Sequence, residues 1–197
     1  IWPYREIDEL GGHDPYSASK VCAEEITNSY VQSFFKNSDV KIASARAGNV
    51  IGGGDWSVNR LIPDIIRSIT SNTCLQIRNP QSVRPWQHVL DSLSGYLLLG
   101  QILMTNEKRG IGAWNFGPEK ESCVSVKEML AIYKRNSTID NVKMQKEIEE
   151  KHESKLLMLD STKAKQLLKW NSVWKLNSAI EKTANWYLQF SENKAVN

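Results

Sequence analysis

Tyr16 and Lys20 stand four residues apart in Tyr16-Ser17-Ala18-Ser19-Lys20, a spacing that on a helix brings two side chains to one face. An ordinary tyrosine ionises near pH ~10, too high for a base at neutrality, but an adjacent ammonium favours the phenolate. The pair suits acid/base work at a hydroxyl. The same spacing also occurs on many solvated helix faces, so spacing by itself does not make the assignment.

Further along, Arg84-Pro85-Trp86-Gln87-His88-Val89-Leu90-Asp91 offers a guanidinium whose planar fork donates paired hydrogen bonds to phosphate oxygens. A free surface arginine is the plainer alternative. In Arg46-Ala47-Gly48-Asn49 the asparagine could bind a ligand, although Gly and Asn tolerate positive φ and a bare turn explains much of the segment. Arg46 could equally be a charge at a strand end. Arg78, in Leu75-Gln76-Ile77-Arg78-Asn79-Pro80, lies on what also reads as a short amphipathic edge strand. His13 and His152 have no metal partners at a sensible spacing, and His88, just ahead of a helix, is expected to satisfy backbone groups. No metal site is assigned. Cys22, Cys74 and Cys123 are odd in number and form no Cys-x-x-Cys pair, which argues against a disulfide framework and for a reducing compartment.

The elements that must hold these residues follow from caps and periodicity. Asp14-Pro15 is an N-cap followed by a proline, and Ile26, Tyr30 and Phe34 make an apolar stripe, so a helix is expected from Pro15 to Phe35. Val40 to Arg46 reads as a mostly buried strand leading into a turn, and Gly52 to Asp55 as a loop. Asn59 is expected to cap a helix through Ile69, with Pro63 in its first turn. Cys74 to Arg78 reads as a strand. Asp91 is expected to cap an all-round apolar, deeply buried helix from Ser92 to Met104, followed by a strand from Ala113 to Phe116. Ser125 to Arg135, Ser161 to Leu168 and Leu176 to Phe190 read as helices. Helices alternating with short strands, without repeats, give an α/β fold class.

Composition sets limits. Over 197 residues the formal charge is +3, hydrophobic residues make up 41% and charged residues 24%, with acidic and basic residues interspersed. That is an ordinary globular balance without the basic footprint of a nucleic-acid binder. No apolar run approaches the ~20 residues needed to span a bilayer, and no leader-like segment opens the chain, so no membrane role and a cytoplasmic location are expected. Ile1 and the loop-like opening suggest a fragment.

Gly11-Gly12-His13-Asp14-Pro15-Tyr16-Ser17-Ala18-Ser19-Lys20 resembles the Tyr-x-x-x-Lys helix start of the extended short-chain dehydrogenases that act on nucleotide sugars. The resemblance implies the C-terminal part of an NAD-binding Rossmann fold (residues 1–50 and 87–120) and a smaller, mainly helical substrate domain (51–86 and 121–197). It implies that Tyr16 is the acid/base, that Lys20 also binds the nicotinamide ribose, that Arg46 lies toward the cofactor, and that Asn49 sits beside the substrate diphosphate. Arg60 and Leu61, in Arg60-Leu61-Ile62-Pro63, and Arg78 resemble segments that run along the nucleotide, and Arg84 resembles the arginine of an Arg-Asp-aromatic-x-His-Val-x-Asp motif. Pro85 departs from that motif, and together with Gly52-Gly53-Gly54-Asp55-Trp56 it is similar to the CDP-glucose 4,6-dehydratase branch. Epimerases and other dehydratases share Tyr16, Lys20, Asn49 and Arg84, and a non-catalytic nucleotide-binding relative would usually have lost the Tyr and Lys pair. The implied partner is a nucleotide sugar, in a homodimer when full length. The glycine loop for NAD phosphates and the Ser/Thr, Asp and Lys group are expected before Ile1, so these 197 residues alone are expected to give no turnover.

Overall fold

The computed structural model describes residues 2–105, 108–136, 142–144 and 156–195. Asp14 keeps extended backbone while its carboxylate accepts from the amides of Tyr16 and Ser17, so α1 (Pro15–Tyr30) starts where a cap and a proline coincide. A π-type turn, Val31–Phe35, continues it over the expected span. None of its residues is buried.

β1 (Ala43–Ala47) pairs in parallel with β5 (Gly112–Phe116), placing Ala45 opposite Trp114 and Ala47 opposite Phe116. It starts later than expected and is at most half-buried, because this sheet has two strands among the described residues. The expected turn after it is instead a single residue, Gly48, leading into β2 (Asn49–Ile51). β2 pairs in parallel with Trp86–His88 of β4 (Val83–His88), and β4 pairs antiparallel with β6 (Cys123–Ser125). Gly48 is required by this crossing: a Cβ there would meet the Pro85 ring at 2.5 Å.

α2 (Leu61–Thr70) follows, and its cap corrects the expectation. Asn59 is left-handed (φ 62) and its side chain accepts from Arg78, so Arg60 is the N-cap residue and no side chain caps the helix. β3 (Leu75–Ile77) pairs with β7 (Val142–Met144). α3 (Val89–Met104) is capped by His88, whose Nδ1 accepts from the Leu90 amide, and not by Asp91. Asp91 lies inside the first turn, buried, and accepts from the amides of Val173 and Trp174 and the hydroxyl of Ser172. Nor is α3 buried all round. Gly95, Leu99 and Ile102 face inward, with Gly95 tight against Phe116, while Leu90, Leu93, Leu97 and Met104 are exposed. One side of the helix packs on the strands and the opposite side is exposed.

α4 (Val126–Lys134) opens with a complete capping box between Ser125 and Glu128. The expected helix at Ser161 to Leu168 ends in a π-type turn, Ala164–Leu168, stopped by left-handed Lys169, and α5 (Leu176–Ala195) closes the chain. Parallel strands alternating with helices make the fold α/β, as expected. No described helix is long and apolar enough to cross a membrane.

Apolar burial forms two cores. One gathers Leu99, Ile102, Trp114 and Phe116 with Ala164, Leu168 and Trp170. The other gathers Ile51, Ile65, Ile77, Trp86, Met129, Tyr133 and Ile180 from β2, α2, β3, β4, α4 and α5. Ala164, Leu168 and Trp170, which the sequence division puts in the second portion, pack in the first core. The strands β1 and β2, joined at Gly48, carry the chain from one core to the other.

Candidate active site

Against the second core, at Ile51, Ile62, Ile77 and Trp86, lies a cleft of about 670 Å³, within the range of small-molecule sites. It is lined by Tyr16, Asn49, Arg60, Leu61, Arg78 and Arg84, six of the eight residues singled out in the sequence. They arrive from several elements. α1 brings Tyr16 by its first turn, the start of β2 brings Asn49 opposite Trp86, and the start of α2 brings Arg60 and Leu61. Arg84 comes from β4, nearly buried, with Nη1 donating to the Val83 carbonyl at 2.8 Å.

Lys20 stands one helical turn behind Tyr16, with Nζ 5.3 Å from the phenol ring centroid, so the pair is brought together. Both are exposed, Tyr16 at 72%. Arg46 is elsewhere. Its guanidinium lines a second cavity and is held by both carboxylate oxygens of Glu24.

The cleft is cationic overall, with Arg60, Arg78 and Arg84 against Asp55 and Asp64. Asp55 pairs with Arg60 at 3.1 Å. Partial burial would raise its carboxyl, yet hydrogen bonds from Ser57 and Arg60 hold it below the usual carboxylate range. Arg67 secures the neighbouring carboxylate, Asp64, and also donates to the carbonyls of Trp56 and Ser57, so the 52–60 loop is tied to α2. The arrangement can grip an anionic diphosphate while presenting a phenol and an ammonium to a hydroxyl at its edge.

Sequence reasoning missed two features. The loop Gly52–Trp56 is held by α5: the Tyr187 hydroxyl donates to the Asp55 carbonyl at 2.6 Å, Trp186 lies where a Cβ on Gly53 would fall, and Trp56 meets Tyr187 edge-on. Nothing local in the sequence joins residues 130 apart. The second is Glu24, whose place four residues beyond Lys20 was visible in the sequence. One other reading holds: His88 satisfies a backbone amide.

Two solved structures share this fold. A UDP-glucose-4-epimerase from Stenotrophomonas maltophila, crystallised with NAD and formylated UDP-arabinopyranose, matches with a TM-score of 0.81 at 18% identity, over 97% of this chain and 60% of its own. A dTDP-glucose 4,6-dehydratase from Streptomyces venezuelae, crystallised with NAD and TYD, matches with a TM-score of 0.80 at 18% identity, over 96% of this chain and 55% of its own. Those alignments make the architecture a Rossmann-type α/β one. The CDP-glucose 4,6-dehydratase of Salmonella typhimurium is 42% identical over 198 residues, which is 95% of this chain and 54% of that protein. The chain thus spans about half the length of the curated relative it matches. Residues 2–183 match the family described as GDP-mannose 4,6 dehydratase, and the chain belongs to that family.

Proposed function

We propose that this chain is the substrate-binding and acid/base portion of an NAD-dependent lyase, a nucleotide-sugar 4,6-dehydratase, which converts CDP-glucose to CDP-4-keto-6-deoxyglucose and water in deoxysugar and surface-polysaccharide synthesis. The observation that carries the reading is the convergence of Tyr16, Asn49 and three arginines on one cleft, with Lys20 at the back of Tyr16. The 42% identity to a CDP-glucose 4,6-dehydratase supports the choice of sugar nucleotide, and Pro85 packed on Gly48 supports the same branch.

In this reading Arg84 and Arg60 hold the diphosphate, Asn49 bonds the sugar-proximal phosphate, and Leu61 and Arg78 border the nucleoside. Residues of this chain fit a nicotinamide dinucleotide at one end: among the described residues no carboxylate pairs with Lys20, leaving its ammonium open to ribose hydroxyls. When bound, that group would accept and return the hydride. Tyr16 is the base that takes the proton of the sugar 4-hydroxyl, while the C4 hydrogen would leave as hydride. The resulting 4-ketone acidifies C5, the C5 proton and the C6 hydroxyl leave as water, and C6 would then regain the hydride while C5 regains a proton. Lys20 sets an ammonium 5.3 Å from the centre of the phenol ring. The domain division at 50/51, 86/87 and 120/121 belongs to this proposal, with the Ala164 to Trp170 stretch packing on the cofactor side. So does a cytoplasmic homodimer, for which Ile26, Tyr30 and Phe34, exposed in a row on α1 and its extension, offer a face.

The test uses the full-length gene product with NAD and CDP-glucose, following the alkali-induced absorbance of 4-keto sugars. Ketone that Tyr16→Phe abolishes is the expected result. Turnover of UDP-, GDP- or dTDP-sugars but not CDP-glucose would make the protein a sister epimerase or dehydratase, and silence with all four would leave a nucleotide-binding relative.

A further inference from the structure

Glu24 follows Lys20 by four residues, as Lys20 follows Tyr16, so three ionisable side chains share one face of α1. A carboxylate at that position is placed to pair with the Lys20 ammonium. Instead Arg46 reaches from β1 and takes both of its oxygens, Nε to Oε1 at 2.6 Å and Nη2 to Oε2 at 2.5 Å. Both side chains are about four-fifths buried. A two-point guanidinium pair with little solvent around it outcompetes an exposed lysine, and the Lys-before-Glu order is the weaker one on a helix.

The surroundings leave this task to Arg46. Among the described residues lining the second cavity it is the one cation, facing Glu6, Asp8, Glu9, Glu24 and Glu25. Asp8 is already held by Arg5, and Glu6 accepts from the Asn115 amide. On the cleft side of Tyr16, Asp55 and Asp64 are paired with Arg60 and Arg67, Arg78 and Arg84 add positive charge, and Asp14 is engaged by Ser17 at the helix cap. Among the described residues, Glu24 is therefore the carboxylate best placed to reach Lys20.

We infer that Arg46 is a positioning residue that sequesters Glu24 and so leaves the Lys20 ammonium to Tyr16. This rests on the reading of Tyr16 and Lys20 as the acid/base pair. It assigns Arg46 a part in the chemistry that acts through Glu24 and Lys20. It also gives the α1–β1 ion pair a purpose that helix anchoring alone does not require.

The test compares Arg46→Met, Arg46→Lys, Glu24→Gln and Arg46→Met/Glu24→Gln in the full-length protein. Two readouts are taken: the pH–rate profile of 4-ketone formation, and the rate of Lys20 acetylation, followed by peptide mass spectrometry without substrate. Arg46→Met is expected to move the rising limb of the profile upward by about one pH unit and to cut the neutral rate roughly tenfold. It should also slow Lys20 acetylation severalfold. The double variant should restore both, and Glu24→Gln alone should stay within about twofold of wild type, since the charge that threatens Lys20 is gone. Arg46→Lys keeps a cation beside Glu24 and should keep the wild-type limb. If Arg46→Met and Glu24→Gln are equally impaired, and the double variant no better, the pair is only a clamp between α1 and β1 and the inference falls. Acetylation that follows the expected pattern in a protein whose turnover ignores Tyr16→Phe would uphold the sequestering and overturn the acid/base reading.

Discussion

β4 is buried from Arg84 to His88 and hydrogen-bonded to strands on both sides, whereas α1, which brings Tyr16 to the same cleft, buries none of its residues. The Arg84 wall belongs to a core: Trp86 packs with Ile51, Met129 and Ile180, and its indole donates to the Val124 carbonyl. α1 is placed by two local devices, the Asp14 cap and the proline behind it, and by the Arg46–Glu24 pair to β1. Arg84, which grips, is thus part of what keeps the chain folded, and the residues that react stand outside it. Stability and rate should separate along that line.

Tyr16→Phe sharpens the contrast most. Turnover by the full-length protein is expected to fall by about 10²–10⁴, the share usually carried by a general acid/base, with an unchanged urea midpoint. Early unfolding of this variant would break the comparison. On the other side, Trp86→Ala should lower the unfolding free energy by about 3–5 kcal/mol, through lost packing and the loss of the indole hydrogen bond to the Val124 carbonyl, as read by urea denaturation. Gly53→Ala tests the loop between the two regions. Its new Cβ would fall 2.2 Å from the Trp186 ring, so Trp186 must move, at about 1–3 kcal/mol, and the KM for the nucleotide sugar should rise more than kcat falls because Asp55 and Arg60 follow the loop. Ser125→Ala removes half of the capping box and should cost about 1 kcal/mol without changing KM, since Ser125 does not line the cleft.

The same contrast explains what could be read from the sequence. α1 was legible because its determinants are local: Asp14, Pro15 and a four-residue apolar rhythm lie within one window. Tyr16 and Lys20 were legible for the same reason. β4 was not read as a strand, since Arg-Pro-Trp-Gln-His has no alternation to show and its burial comes from β2 on one side and β6 on the other. Asn59 and Asp91 look like caps, but tertiary partners claimed them first, Arg78 in one case and the 172–174 backbone in the other. Arg46 was visible as a charge at a strand end, and its partner only became evident once the helix was laid across the strand.

The smallest predicted effect lies where β4 ends. His88 is 7% exposed, its Nδ1 accepts from the Leu90 amide, and its ring meets Trp174 edge-on at 4.5 Å. Burial pushes the imidazole below its ordinary value, against the pull of Asp91 and with the help of Lys182. The neutral form is also the one that can cap, because a protonated Nδ1 has no lone pair to offer. With the folded value depressed, the unfolded chain binds a proton first as pH falls through about 6.5. Stability must then decline with falling pH, until the folded form is protonated too. The carboxylates held low by hydrogen bonds, Asp14 by Ser17 and Glu128 by Ser125, act in the same direction but only at pH values nearer 4, so the two windows are distinct. Urea midpoints measured between pH 7 and pH 5 should therefore decline in the wild type. In His88→Asn, which keeps a capping side chain and has no imidazole, they should stay level. An equal decline in both proteins would place the acid sensitivity outside β4 and remove His88 from the list of residues whose burial couples the gripping wall to stability.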